Sequence, residues 1–474
     1  MDGRENKLSG WLPWAALACL VVPMFASYYF DDIFSSISFI FDSAEGNALG
    51  WDQAKYGVYT SAYSVLCIFG GLVLGGILLD KWGVRIAGSF FVVMMAAGAA
   101  LVLFALLTGG KHSLDLAYAG GMFFGLGSEI AGTAVNRSIA KWFKGGPLAL
   151  AMGLQLAIAR LGTAFAMVLA PKLVAQQTGH VYSLVECARP ALAGMGLMAF
   201  GLILWAVFVA IDRKAAEAPS GAFARTGLQS NAEEGASAAD GSARTGLRSN
   251  AEDKEKFVLK DVLGVLGNKN FWLLGLLCVL FYSAIIAFKK FAGTILVPRF
   301  DIPAQTAGWM ISMLPFSTVI FAPLFGLMVD KFGNGTRWMI AGSVLALAAH
   351  LLLAFAPQGI PAFGYLAMVL LGFGYSLVPA ALWPSATKIV PDKVLGTTFA
   401  LLFWVQNLGL FSFKVLAGKI LAAGAGAGES AAAVSVEQMF VGLCVAAVLL
   451  SFIFAGTSLR HPELRLDAPS RSSE

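Results

Sequence analysis

Gly76-Ile77-Leu78-Leu79-Asp80-Lys81-Trp82-Gly83-Val84-Arg85 separates two long apolar runs, and Gly326-Leu327-Met328-Val329-Asp330-Lys331-Phe332-Gly333 separates two others in the second half of the chain. Both read G-x-x-x-D-K-aromatic-G. One copy is a short and common pattern. Two copies in register, each between the second and third apolar runs of its half, point to a duplicated unit. The residue types suit a tight turn at a membrane surface: glycine lets a neighbouring helix come close, aspartate can meet a helix N-terminus or an arginine, and basic residues anchor a cytoplasmic turn.

The surrounding composition agrees. Of 474 residues, 58% are hydrophobic and 13% charged, against about 45–50% and about 25% in soluble domains. Mean hydropathy is +0.75. These values exclude a soluble enzyme, a disordered chain and a fibrous repeat. A spanning helix needs about 20 apolar residues, and roughly twelve runs qualify: 11–41, 54–79, 86–108, 115–140, 147–174, 189–211, 271–298, 304–329, 338–356, 362–389, 395–422 and 436–458. The first is too long for a cleaved signal peptide and lacks a small-residue cleavage site. The expected fold is an all-α membrane protein of twelve transmembrane helices.

Residues 213–256 are polar and contain a short duplication, in which Ala224-Arg225-Thr226-Gly227-Leu228 recurs as Ala243-Arg244-Thr245-Gly246-Leu247. Such a segment buries too little apolar surface to offset its ordering entropy. It reads as a flexible linker between domains at 1–212 and 257–474, with a short amphipathic helix, Phe257 to Leu266, after it. Lys and Arg collect at the chain ends and in the even-numbered connections, among them Arg4, Lys7, Lys81, Arg85, Lys141, Lys144, Lys331, Arg337, Lys388, Lys393 and Arg460, whereas the first connection holds Asp42, Glu45 and Asp52. That asymmetry places both termini and the linker in the cytoplasm.

The two motifs, the twelve runs and the central linker together resemble the major facilitator superfamily, whose pattern here is G-x-x-x-D-R/K-x-G-R-R/K. Arg85 meets it only with Val84 intervening, and Ile86 replaces the last basic residue. The resemblance implies two six-helix bundles around a central cavity, with Gly76, Asp80, Lys81, Gly83, Arg85, Gly326, Asp330, Lys331 and Gly333 as a gating motif. Phe124-Gly125-Leu126-Gly127-Ser128-Glu129, Gly153-Leu154-Gln155-Leu156-Ala157-Ile158-Ala159-Arg160, Tyr375-Ser376-Leu377, Ala381-Leu382-Trp383-Pro384 and Gln406-Asn407-Leu408-Gly409-Leu410 are similar to a dipeptide-carrying branch of that family with bacterial and vertebrate lysosomal members. This implies a secondary transporter moving dipeptides or similar small zwitterions by alternating access. Uniport and proton-linked transport are both compatible with it.

Charges inside a bilayer cost about 2.5–3.5 kcal/mol each on insertion scales, so those in the apolar runs carry the site prediction. Glu129 and Arg160 either neutralise each other between the fourth and fifth helices or hold a substrate. In the related branch they match the positions that take a dipeptide's ends. An extended dipeptide spans roughly 7 Å, and arginine can grip a carboxylate with two parallel bonds. Asp31 and Asp32 read as a solvated helix end or a cavity mouth. Tyr29 and Tyr63 are aromatic candidates, Tyr56, Tyr59 and Tyr63 sharing one helical face. Gln155, Tyr375, Trp383, Gln406 and Asn407 complete the neutral set. Lys289, Lys290 and Lys414 lie in the seventh and eleventh runs. Lysines near a helix end can snorkel, but Lys414 is deeper, and extra cations favour an anion. The alternative is therefore an organic-anion or sugar-phosphate carrier.

No HExxH, GxSxG or GxxxxGK[ST] is present, so neither an enzyme nor an ATP-driven pump is expected. Cys19, Cys67, Cys187, Cys278 and Cys444 form no CxxC, and the four histidines are scattered. No metal, cofactor or nucleic acid is expected. The expected partners are a small-molecule substrate and the lipid bilayer, and the expected state is a monomer in a bacterial plasma membrane, with the lysosomal membrane as the alternative.

Overall fold

The computed structural model describes residues 5–143, 147–175, 179–217, 264–390, 395–464 and 466–468. In lipid every backbone polar group must be satisfied within the chain, and the apolar runs accordingly fold as long helices. They are α1 (Glu5–Asp31), α2 (Gln53–Leu66), α3 (Leu72–Gly83), α4 (Ser89–Thr108), α5 (Ser113–Trp142), α6 (Leu148–Leu173) and α7 (Leu184–Glu217) in the first half. The second half holds α8 (Lys269–Phe300), α9 (Ala304–Phe332), α10 (Gly335–Phe355), α11 (Pro361–Lys388), α12 (Leu395–Gly424) and α13 (Glu429–Arg460).

Ten helical stretches are long and apolar enough to cross a membrane. One of them, Gln53–Thr108, is 56 residues long and folds back after Gly83, which has φ 70°. Helix α5 is less apolar because Glu129 and a series of glycines interrupt its middle. Counting α2 with α3 as one kinked crossing gives the twelve spans read from the sequence. An even number of crossings returns the chain to its starting side. We call that side the terminal face and the opposite one the distal face.

The duplication is visible in the packing. In the first half α1 packs on α6 and α7, α5 on α2 and α4, and α4 on α7. In the second, α8 packs on α12 and α13, α11 on α9 and α10, and α10 on α13. Each neighbour pair in one bundle has its counterpart in the other. The bundles meet along α2 with α12 and α6 with α9. At the first crossing a Cβ on Gly57 would stand 2.8 Å from the Lys414 carbonyl oxygen and 3.0 Å from Gly418 Cα. Only glycine allows that approach.

Two boundaries differ from the sequence reading. The run 11–41 is not one span: the helix stops at Asp31, and 3₁₀ turns at Ser38–Phe41 and Ala44–Gly46 follow. Ile33, Phe34, Ile37, Phe41 and Trp51 are buried there, as a lid on the distal face. The apolar stretch continues because this lid is packed against protein. Helix α7 runs on to Glu217, into the expected linker. The rest of that linker, 218–256, and most of the expected Phe257–Leu266 helix lie outside the described residues.

Candidate functional site

Glu129 lies midway along α5, and Arg160 midway along α6. Glu129 Oε1 accepts from the Tyr63 hydroxyl at 2.9 Å. The same hydroxyl lies 3.3 Å from Ser128 Oγ, which pairs with Ser27 Oγ at 2.6 Å, so α1, α2 and α5 are tied together behind the carboxylate. Arg160 Nη1 donates to the Tyr375 hydroxyl of α11 at 2.9 Å. Its guanidinium sits between the rings of Tyr28 and Tyr375, 5.8 and 5.4 Å from their centroids, within cation–π range. Arg160 Nε is buried without a hydrogen-bond partner. Neither Glu129 nor Arg160 has an ion-pair partner among the described residues. The self-neutralising pair is therefore not formed.

The aromatic wall extends across the second bundle. The Tyr282 ring stands 6.3 Å from Tyr375 and 6.3 Å from Trp383. Trp383 Nε1 donates to the Tyr282 hydroxyl at 3.0 Å, and the Trp383 ring stacks on Phe403 at 4.9 Å. Lys414 is buried on α12, donates to the Thr60 carbonyl at 3.2 Å, and stands 5.7 Å from the Tyr63 ring that serves Glu129. It too lacks an ion-pair partner among the described residues.

The other expected residues are more dispersed. Tyr29 is fully buried beside Phe165 and Gly194, its hydroxyl unpartnered. The neighbouring Tyr28 is the one that meets Arg160, since successive helix residues face about 100° apart. Gln155 is buried on α6. Gln406 accepts from Cys278 Sγ at 3.6 Å, and the Asn407 amide donates to Phe403 on its own helix.

Asp32, Lys289 and Lys290 lie elsewhere, at the distal end of the junction between the bundles. Asp32 is 1% exposed, not a solvated helix end. Its Oδ2 accepts from Lys289 Nζ at 2.7 Å and Thr163 Oγ1 at 2.9 Å, and its Oδ1 from Lys290 Nζ at 2.9 Å and Ser35 Oγ at 3.0 Å. Lys290 also pairs with Asp31 at 2.7 Å. The lysines do not snorkel; two acids of α1 and its lid neutralise them. Around this cluster the Tyr56 hydroxyl donates to the Lys290 carbonyl, the Gly293 amide to the Ser35 carbonyl, and Gln53 Nε2 to Thr294 Oγ1. The protein is shut on its distal face. Toward the terminal face the last hydrogen bond described between the bundles runs from Trp404 Nε1 to the Ile68 carbonyl.

Both motif copies form the expected turn. Gly83 and Gly333 have φ 70° and 64°, the left-handed region that suits glycine. Asp80 pairs with Arg137 at 2.7 Å, and Arg85 with Asp212 at 2.7 Å, both inside the first bundle. Lys331 lies over the Phe332 ring, and Asp330 has no ion-pair partner among the described residues. Gly76 and Gly326 face open space, so no neighbouring helix uses them in this conformation.

A polytopic bundle with an internal duplication, one shut face and unpaired charges at the centre defines a carrier, and the sequence comparisons agree. The profile of the Major Facilitator Superfamily matches residues 17–414, and the chain belongs to that family. It is a multi-pass membrane transporter and not an enzyme. The lysosomal dipeptide transporter MFSD1 of Bos taurus is 30% identical over 402 residues, 84% of this chain and 75% of that protein. The Danio rerio protein of the same name is 28% identical over 425 residues, 88% of this chain and 81% of its own. Among solved structures a peptide transporter POT superposes with TM-score 0.65 at 17% identity, over 95% of this chain and 94% of its own. The inward-open xylose transporter XylE from E. coli gives 0.64 at 12%, over 93% and 96%. At such identities the likeness is one of fold.

Proposed function

We propose that the protein carries dipeptides by alternating access, with Arg160 taking the substrate carboxylate and Glu129 the ammonium. The observation that carries this reading is the pair of opposite charges that have no ion partner among the described residues, each held by tyrosines. A zwitterion would satisfy both at once. Tyr28, Tyr63 and Tyr375 hold the two charged groups in place, which lowers the ordering cost of binding. The related transporters named for dipeptides support the same cargo.

The test is uptake into vesicles with capped and uncapped dipeptides. Arg160→Gln and Glu129→Gln should each weaken uncapped dipeptides about ten- to hundredfold, from loss of a charge-assisted bond of about 1.5–3 kcal/mol. Arg160→Gln should spare a C-terminally amidated dipeptide, and Glu129→Gln an N-acetylated one. Variants that treat every ligand alike would sink the assignment. A second reading, an organic-anion or sugar-phosphate carrier, draws on Lys414, a buried cation without a carboxylate partner among the described residues. Under it Lys414→Met abolishes binding and Glu129→Gln leaves it intact or tighter. Under the dipeptide reading Lys414→Met only shifts preference away from acidic side chains.

In this reading the terminal face is cytoplasmic, from the Lys and Arg of its connections, and a monomer suffices because Glu129 and Arg160 belong to one chain. The host membrane is the bacterial plasma membrane or the lysosomal membrane, and the relatives' name speaks for the second. Labelling a cysteine introduced at Ser230 from outside intact cells would overturn the orientation. Substrate-driven proton flux in the same vesicles separates symport from uniport.

A further inference from the structure

The two bundles close their terminal ends differently. In the first, Asp212 near the end of α7 accepts from Arg85 Nε at 2.7 Å, Lys141 Nζ at 2.7 Å and Trp142 Nε1 at 3.0 Å. One acid thus joins the turn after the first motif to the terminal end of α5. A second tie, Asp80 to Arg137, links α3 to α5. In the second bundle Pro384 stands four residues before Lys388, as Arg137 stands four before Lys141, so α11 offers no such arginine to Asp330. Helix α13, the counterpart of α7, ends in Arg460.

The corresponding junction is spanned by the chain beyond that helix. A turn follows at Pro462–Leu464, and residues 466–468 lie against the terminal ends of the helices. The Asp467 carboxylate accepts from Thr336 N at 2.9 Å, Thr336 Oγ1 at 2.9 Å and Ser458 Oγ at 2.7 Å. Its carbonyl accepts from the Asn334 amide at 2.9 Å. Lys388 Nζ donates to the carbonyls of Leu466 and Ala468 at 3.2 and 2.9 Å, and the Leu466 side chain is 1% exposed. Asn334, at the start of α10, has φ 57° and caps nothing with its own side chain. The first turn of a helix leaves amides without partners and favours an anion. Here the anion arrives from 131 residues away.

We propose that residues 461–464 and 466–468 act as a strap and Asp467 as a positioning residue, supplying to the second bundle the acid that Asp212 supplies to the first. The strap ties the terminal ends of α10, α11 and α13 so that this bundle swings as one body when the carrier alternates. It rests on family membership and on this geometry, and is independent of the cargo.

The test uses the full-length protein in nanodiscs with Asp467→Asn and Asp467→Glu. Amides of residues 336–339 should exchange hydrogen roughly tenfold faster in Asp467→Asn, from loss of a charge-assisted cap, and Asp467→Glu should restore protection. Spin labels at Trp82→Cys and Phe332→Cys, after replacing the five buried native cysteines, report the separation of the two motif turns. Their distance distribution should broaden in Asp467→Asn and narrow again in Asp467→Glu. Unchanged exchange at 336–339 overturns the strap. Exchange that rises equally in both bundles reduces Asp467 to general stability, and an unchanged distance distribution removes its positioning role; either result overturns the proposal.

Discussion

Two sets of charges lie between the bundles, and they are treated in opposite ways. At the distal face Asp31, Asp32, Lys289 and Lys290 neutralise one another across the junction, and Thr163 and Ser35 fill the remaining acceptor positions of Asp32. At the centre Glu129, Arg160 and Lys414 have hydroxyl, carbonyl and ring partners but, among the described residues, no opposite charge. A charge in a membrane protein thus carries no role by itself. The distal set is complete in itself, whereas the central set is incomplete, as the proposed ligand-binding role requires.

The largest effect should come from breaking the complete set. Asp32→Asn leaves two lysines with one acid, and removing one partner of a buried pair costs about 3–5 kcal/mol. The seal should open, and a cysteine introduced at Thr294, which is 3% exposed, should become reactive toward a reagent applied at the distal face. A reporter as inert as in the parent would show that the ion cluster does not hold the seal. Next in size is Gly418→Leu. A Cβ there would stand 2.9 Å from Gly57 Cα, and overpacking typically costs about 1–3 kcal/mol. The same reporter should react in this variant although the ion cluster is intact; if it stays inert, the two helices can part without opening the seal.

A smaller effect concerns Asp42, in the lid. Burial and then the nearby Glu429 push its carboxyl well above the usual carboxylate range, although Gln53 donates to it at 2.9 Å. A raised folded pKa means that this contribution is present at acid pH and is lost as pH rises through the folded value. Reactivity of the Thr294→Cys reporter relative to a fully exposed cysteine at the same pH, which removes the thiol's own ionisation, should therefore grow with pH, and Asp42→Asn should flatten that ratio. A pH profile unaffected by Asp42→Asn would sever the lid from the seal. The smallest expected effect is nil: Glu129→Gln and Arg160→Gln break no ion pair, so their melting temperatures should match the parent while Asp32→Asn melts lower. A large loss of stability in either central variant would erase the contrast.

Much of this was legible. Twelve runs, two motif copies and the turn glycines Gly83 and Gly333 follow from local pattern, since membrane-spanning helices satisfy their own backbones. Glu129 and Arg160 stood out because a charge in an apolar run is conspicuous. What pattern could not supply was pairing at long range. Lys289 meets Asp32 across 257 residues, and the sequence signal, two acids at the end of the first run and two lysines in the seventh, became meaningful only with both at one depth. Tyr29 is chosen over its neighbour Tyr28 by the sequence reading because helical phase is hard to fix in a run containing Pro13 and Pro23. Tyr282 has no charged residue within six positions in sequence to mark it. The Asp467 cap sits in a polar tail that looks featureless until α10 is seen to lack a cap of its own.

The second crossing is two rods rather than one. Between α2 and α3 the helix breaks at Phe69 and Gly70, the latter with φ 89°, and the Ile68 carbonyl is taken by Trp404 of the opposite bundle. Helix α2 packs heavily on α12, whereas α3, with the first motif at its end, keeps to its own bundle. The joint lies between the part that is bound to the opposite bundle and the part that carries the first motif. Such an element works as a toggle: the two ends can exchange partners in sequence, and neither has to drag the other through a rigid helix.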